Sequence, residues 1–218
     1  MPEISIKCPT CSAVSDVFVH EVISPDHPTL SALFAGTLNV LTCTYCDASF
    51  RYETPLLFRD DDRRQLIYFM PSERVDSVSD ALRQVTAVRE AALADTPVEE
   101  QPTFRLVLTM RDLLEKIMLF QQGLDDRIVE FIKNQLYDHS TDLQSSRHDL
   151  LFDFNEPTDT RLSFLAFCKE TGEASFTLSF LRTAYEELAD YYLKAPALTA
   201  RLDEMFNDCY VNVRDLLS

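Results

Sequence analysis

Over the first seventy residues the apolar positions fall in short runs, several of them alternating with polar ones, broken by polar turns. Ile6 predicts a short strand leading into a bend at residues 8–11. Val17 and Val19, with Val22 and Ile23 beyond, predict an extended strand leaving that bend. A turn follows at residues 25–29. Leu30, Leu33 and Phe34 have helical spacing, and Gly36 is placed to end a short helix. Leu38, Val40 and Leu41 predict a strand returning to a second bend at residues 43–46, and Phe50, Tyr52 and Thr54 a strand leaving it. The polar run Arg59-Asp60-Asp61-Asp62-Arg63-Arg64 reads as the loop joining this strand to residues 66–70 as an antiparallel hairpin.

The period then lengthens. Val78, Leu82, Val85 and Leu93 define the apolar face of a helix over 77–93, opened by Ser77 and Asp80 in the pattern of a capping box. Residues 94–102 carry two prolines and read as a linker. Phe104, Leu106 and Leu108 alternate as a strand. Thr109, with Asp112 three residues on, caps a helix whose buried stripe is Leu113, Leu114, Ile117, Met118 and Phe120. Gly123 breaks it. A second helix starts near Leu124, with Ile128, Phe131, Ile132 and Leu136 on one side and Asp125 and Asp126 in its first turn, where the helix dipole favours negative charge. So short a break predicts a helical hairpin. After a polar loop at 139–147 come strands at 150–154, 162–167 and 175–180, a helix over 181–193 stopped by Pro196, and a helix from about 198 to 208.

Strands grouped rather than alternating with helices argue for an α+β fold. The expected organisation is an N-terminal zinc-ribbon-like β domain over 1–94, a linker over 95–102, and an α+β domain over 103–218 that begins with the helical hairpin.

Composition narrows the function. The chain has 218 residues, 46% of them hydrophobic, enough for a folded core. Three glycines and no phosphate-loop pattern argue against nucleotide binding by a glycine-rich loop. A net charge of −16, spread along the chain, repels phosphates and anionic lipid and favours a protein partner with a basic surface. No stretch has the length of a membrane span, and the first residues lack a basic segment followed by an apolar run, so a cytoplasmic location is expected.

The chemistry is concentrated in the two bends. Each is a Cys-x-x-Cys pair, Cys8/Cys11 and Cys43/Cys46. In a reducing compartment such pairs are metal ligands more often than disulfides. Four thiolates from two tight turns match a closed structural zinc site. Iron or an iron–sulfur cluster uses the same ligands. A redox dithiol would need its Cys-x-x-Cys to open a helix, whereas both pairs lie between strand-like segments.

The chain resembles the CpXC family, bacterial proteins named for paired Cys-Pro-x-Cys motifs. The resemblance rests on Cys8-Pro9-Thr10-Cys11, on Pro28-Thr29-Leu30 ahead of Leu38-Asn39, and on Cys43-Thr44-Tyr45-Cys46. It continues through residues 52–60, 66–71, 112–117 and 123–130, so that it spans about residues 4–138. Thr44 stands where the motif has proline, and Ser12 and Asp47 stand where glycine is frequent. The resemblance implies a four-cysteine site and a fold, and carries over no catalytic residue.

Other candidates are weaker. Asp60-Asp61-Asp62 is either a cation site or a solvated turn. Cys168 lies in an apolar run and reads as a core residue, with a catalytic thiol served by His139 or His148 as the alternative; Cys209 lies near a helix end. His20 and His27 form no ligand pattern with each other; His20 reads as a cross-strand surface residue, and His27, near the cysteine region, is a candidate to replace a cysteine ligand. The expectation is a zinc-stabilised protein-interaction module with no evident catalytic site, able to self-associate. The alternatives are a transcription-linked zinc-ribbon protein acting through a protein or nucleic-acid partner, and an enzyme whose site forms between the halves.

Overall fold

The computed structural model of the chain describes residues 3–94, 96–156 and 159–217, apart from the side chains of Val98 and Asp215. Asp95 of the expected linker and the first two residues of the expected N-terminal domain lie outside the described residues. The fold is mixed α+β and divides into two compact units, Met1–Met110 and Arg111–Ser218.

Unit 1 holds two small antiparallel ribbons and one larger sheet. β1 (Glu3–Lys7) pairs with β2 (Val14–Phe18), with Lys7 opposite Val14. β3 (Val22–Ile23) and α1 (Thr29–Phe34) follow. The helix ends at Gly36, whose φ of +69° suits glycine alone without strain. β4 (Val40–Thr42) pairs with β5 (Ser49–Arg51). The four-stranded sheet has the order β3-β6-β7-β8, with β6 at Leu56–Asp60, β7 at Gln65–Phe69 and β8 at Thr103–Val107. β6 and β7 are antiparallel, while β3 with β6 and β7 with β8 are parallel. The long helix α2 (Val78–Leu93) makes the crossover from β7 to β8, and the Ser77 hydroxyl caps it by accepting the Asp80 N–H at 3.1 Å.

Two sequence expectations differ here. The strand at 50–54 does not pair with 66–70. It ends at Arg51, and a fresh strand begins beyond Pro55, which lacks the N–H a continuous ladder would need. The strand placed at the head of the C-terminal domain is β8, whose residues pair along β7, so it completes the sheet of unit 1.

Unit 2 runs α3 (Met110–Gln121), α4 (Asp126–His139), β9 (His148–Phe152), β10 (Arg161–Cys168), β11 (Ala174–Leu181), α5 (Arg182–Leu193), α6 (Pro196–Asp203) and α7 (Val213–Leu216). The strands form one antiparallel sheet in the order β11-β10-β9. One core unites Ile128 and Ile132 of α4, Leu162, Phe164 and Ala166 of β10, Tyr185 of α5 and Leu202 of α6. The Asp125 carboxylate caps α4 by accepting the Arg127 N–H at 3.0 Å. Pro196 opens α6 as well as ending the run before it, as proline in a first helical turn does.

The helical hairpin is joined by buried charge as much as by apolar contact. Lys116 Nζ lies 3.1 Å from Asp126 and 2.9 Å from Glu130. Lys133 Nζ lies 2.7 Å from Glu115 and 3.0 Å from Glu130. None of these five side chains is more than 2% exposed. Three carboxylates face two ammonium groups, and backbone donors offset the excess: Glu115 accepts the Phe152 N–H, and Glu130 accepts the Val213 N–H at 2.9 Å. Burial acts to lower both lysine pKa values, but the surrounding carboxylates overcome it and raise them. Burial likewise acts to raise the Glu130 pKa, and the two lysines hold it low instead. Removing one partner leaves a buried charge uncompensated. Lys133→Met is therefore expected to destabilise unit 2 by about 3–5 kcal/mol, read as a lower urea midpoint; an unchanged midpoint would show that the network contributes nothing.

Candidate metal centre

The two Cys-x-x-Cys bends have the same backbone construction. In the first, the Cys8 N–H donates to the Ala13 carbonyl at 2.8 Å and the Ser12 N–H to the Cys8 carbonyl at 2.9 Å. In the second, the Cys43 N–H donates to Ala48 and the Asp47 N–H to Cys43, both at 2.9 Å. Each bend also points a backbone donor at its first sulfur, Thr10 N–H to Cys8 Sγ at 3.4 Å and Tyr45 N–H to Cys43 Sγ at 3.5 Å. The chain leaves each bend through a left-handed residue, Ser12 at φ +65° and Asp47 at φ +56°. These are the two positions where the sequence departs from glycine.

β1 and β2 carry the first bend between them, and β4 and β5 the second. Together they bring all four sulfurs within 4.8 Å of one another. Cys8 Sγ lies 3.8 Å from Cys46 Sγ, and Cys11 Sγ lies 3.6 Å from Cys43 Sγ. A tetrahedral thiolate site with metal–sulfur bonds of about 2.3 Å has sulfur–sulfur edges of about 3.8 Å. A disulfide would need about 2.05 Å. The sulfurs therefore fit a metal ion and do not form disulfides. Cys8 and Cys43 are buried while Cys11 and Cys46 are exposed, so the group sits at the surface of unit 1 with its inner half in the core.

The electrostatics of the group are uneven. The Cys8 thiol is lowered to about 6, first by the Cys11 N–H and then, against some burial, by the Thr10 N–H. At Cys46 the Ala48 N–H also lowers the pKa, but the sulfurs of Cys11, Cys43 and Cys8, with burial, outweigh it and raise the thiol to about 12. Four sulfurs this close cannot all ionise without a cation among them, and a divalent ion removes that obstacle.

The other sequence candidates fall outside the group. His27 Nδ1 lies 2.6 Å from the Thr29 hydroxyl, and the sulfur cluster has no histidine in it. Asp60 is buried and accepts both the backbone and the side chain of Arg63, at 2.9 and 3.0 Å, so the aspartate run is a closed turn. Cys209 is buried. Cys168 opens a bend built like the other two: its N–H donates to Glu173, its carbonyl accepts from Gly172, and Gly172 has φ +72°. Thr171 stands where a second cysteine would be, so this bend holds one thiol only. The Thr171 N–H and hydroxyl lower the Cys168 pKa. His148 lies across from Cys168 in the β9–β10 register, with its Nδ1 accepting the Gln144 N–H at 3.3 Å.

Sequence reasoning missed Glu115, Lys116, Glu130 and Lys133 as buried partners. Their spacing carried a signal: Asp126, Glu130 and Lys133 fall at i, i+4 and i+7 on α4, one helical face.

The left-handed exits yield a direct test. A residue with a Cβ at positive φ is strained by about 1–2 kcal/mol, less for Asp than for Ser. Ser12→Gly is expected to raise the thermal midpoint of unit 1 and Asp47→Gly to raise it less; a lower midpoint for both would contradict the strain.

No curated protein and no solved structure matches the chain. The profile of the family described as CpXC protein matches residues 6–133, which is more than half of the chain and includes all four cysteines of the cluster. On that match the chain belongs to the CpXC family.

Proposed function

We propose that the protein is a zinc-stabilised protein-interaction module of a reducing compartment, in which the metal builds the docking surface of unit 1. One observation carries the reading: four sulfurs within 4.8 Å of one another, in two bends of identical construction. Four protein ligands fill a tetrahedral ion and leave no position for substrate or water, the arrangement of structural sites. All-thiolate tetrahedral ligation suits zinc or iron alike, and zinc is proposed as the usual ion of a closed four-cysteine structural site, one that imposes no redox chemistry.

The surface around the ribbons supports docking. Phe18 is 58% exposed, Val14 59%, Val22 58% and Tyr45 71%, all on unit 1 and set in a strongly acidic chain. Exposed aromatic and aliphatic side chains on so acidic a chain suit an apolar patch with a basic surround on the partner. The same acidity disfavours direct contact with nucleic acid. Among the described residues no helix is long and apolar enough to cross a membrane.

Native mass spectrometry and metal analysis test the metal. One zinc per chain is expected, lost in Cys43→Ser together with ordered structure in unit 1; an apo chain of unchanged stability, or an iron-loaded one, would overturn it. Phe18→Asp with Tyr45→Asp tests the docking face. Both should abolish retention of a partner by the zinc-loaded chain while metal content stays the same, and a partner held equally well by the variant would place docking elsewhere.

A further inference from the structure

The two edges of the unit 2 sheet are treated differently. The Asp153 N–H donates to the Ser163 carbonyl at 2.8 Å, and Phe152 lies opposite Phe164. By the alternation of antiparallel ladders, the backbone groups of His148, Leu150 and Phe152 point away from β10. They are met by side chains. The Tyr137 hydroxyl donates to the His148 carbonyl at 2.9 Å, and the buried Glu115 carboxylate accepts the Phe152 N–H. The β9 edge is closed.

The β11 edge is open. The Arg182 N–H donates to the Thr160 carbonyl at 3.0 Å, and Leu181 lies opposite Arg161. The same alternation turns the N–H and C=O groups of Thr177 and Ser179 and the N–H of Leu181 away from β10. Among the described residues no hydrogen bond meets them. Natural sheets guard such an edge with lysine, proline, a bulge or a covering element. Residues 174–181 contain no charge and no proline, and the one irregularity in the ladder lies at the far end, opposite Ala166 and Phe167. In a chain of net charge −16 this is an uncharged strip, which lowers the local repulsion that a second, equally acidic copy meets there.

We propose that β11 pairs antiparallel with β11 of a second copy of this chain, about a two-fold axis at Leu178, joining two three-stranded sheets into one. The segment is self-complementary in that register. Thr177 lies opposite the partner's Ser179, so their free backbone groups exchange hydrogen bonds. Phe176 lies opposite the partner's Phe180 on the other face, where both are half-buried, and Leu178 meets its own copy. At each end the level of Glu173 in one copy adjoins that of Arg182 in the other, carboxylate beside guanidinium. The edge lies outside residues 6–133, so the pairing is a property of this chain beyond the matched family region. It goes beyond the docking reading of unit 1 and holds whether or not the sulfurs bind zinc.

Light scattering of the purified full chain, with metal content measured on the same sample, tests it. A dimer at micromolar concentration is expected. Thr177→Pro removes only an outward N–H, and Thr177→Lys puts a charge on the edge; both should yield monomers of unchanged helix content. Leu178→Cys brings two thiols face to face and should give a cross-linked dimer on oxidation, absent in wild type and in Ser175→Cys treated alike. A monomeric wild type, or a dimer that survives both Thr177 variants, would overturn the pairing. A monomer that retains zinc overturns the pairing alone, and a dimer without metal overturns the zinc reading alone.

Discussion

Four sulfur atoms that must share one small volume are the constraint on which unit 1 depends. The two ribbons are too short to be stable as isolated hairpins: β1 and β2 have five residues each, β4 and β5 three. Their bends still place Cys8, Cys11, Cys43 and Cys46 within 4.8 Å. Without a cation that convergence costs free energy, because thiolates repel and thiols bond weakly. With a cation the cost becomes the fold's main cross-link, tying residues 8–11 to residues 43–46 across the intervening chain. The left-handed exits at Ser12 and Asp47 fit the same logic. The hairpin bend needs a left-handed exit at both positions, and the chain accepts a residue with a Cβ there.

Unit 2 meets a similar demand with different chemistry. The helical hairpin buries two lysines against three carboxylates, and its specificity comes from matching rather than from strength. A buried ion pair contributes little net stability once desolvation is counted, but any slip of α3 along α4 leaves a charge unpaired and is costly. The network also reaches beyond the hairpin. Glu115 holds the edge of β9 and Glu130 holds the start of α7, so the charges set where the sheet and the last helix attach. Each unit thus fixes its register with polar chemistry inside an apolar frame.

What was legible in the sequence follows from the range of each interaction. The cysteine bends were legible because Cys-x-x-Cys is a local pattern and its chemistry requires convergence. The helices α2, α3 and α4 were legible from periodicity, and α2 also from its cap at Ser77, whereas Asp125, read as a first-turn residue, is the cap of α4. The partner of β5 was not. Phe50, Tyr52 and Thr54 alternate well beyond Arg51, yet residues 52–55, ending at Pro55, lie outside any strand and separate β5 from β6. The place of β8 was hidden for a related reason: a parallel partner reached through α2 leaves no turn signal, whereas the proline-rich stretch before it looks like a boundary. The buried charges were hidden because Glu and Lys in a helix ordinarily face water, and the spacing that puts them on one face is equally that of a solvated stripe.

The bend at Cys168 bears on what the knuckle geometry means. It repeats the hydrogen bonds of the two cysteine bends and their left-handed exit, yet carries threonine at the second ligand position. The backbone form is therefore not a consequence of the metal. It is a hairpin turn available to any suitable sequence, and it becomes a ligand only where cysteine occupies both positions and a second such turn faces it. Glycine supplies the exit where no metal constrains the bend, at Gly172, while Ser12 and Asp47 hold the strained exits where four sulfurs converge. Cross-linking through the sulfurs can offset about the 1–2 kcal/mol that a left-handed Cβ costs. At the third bend there is no such compensation, and the residue there has no Cβ to strain.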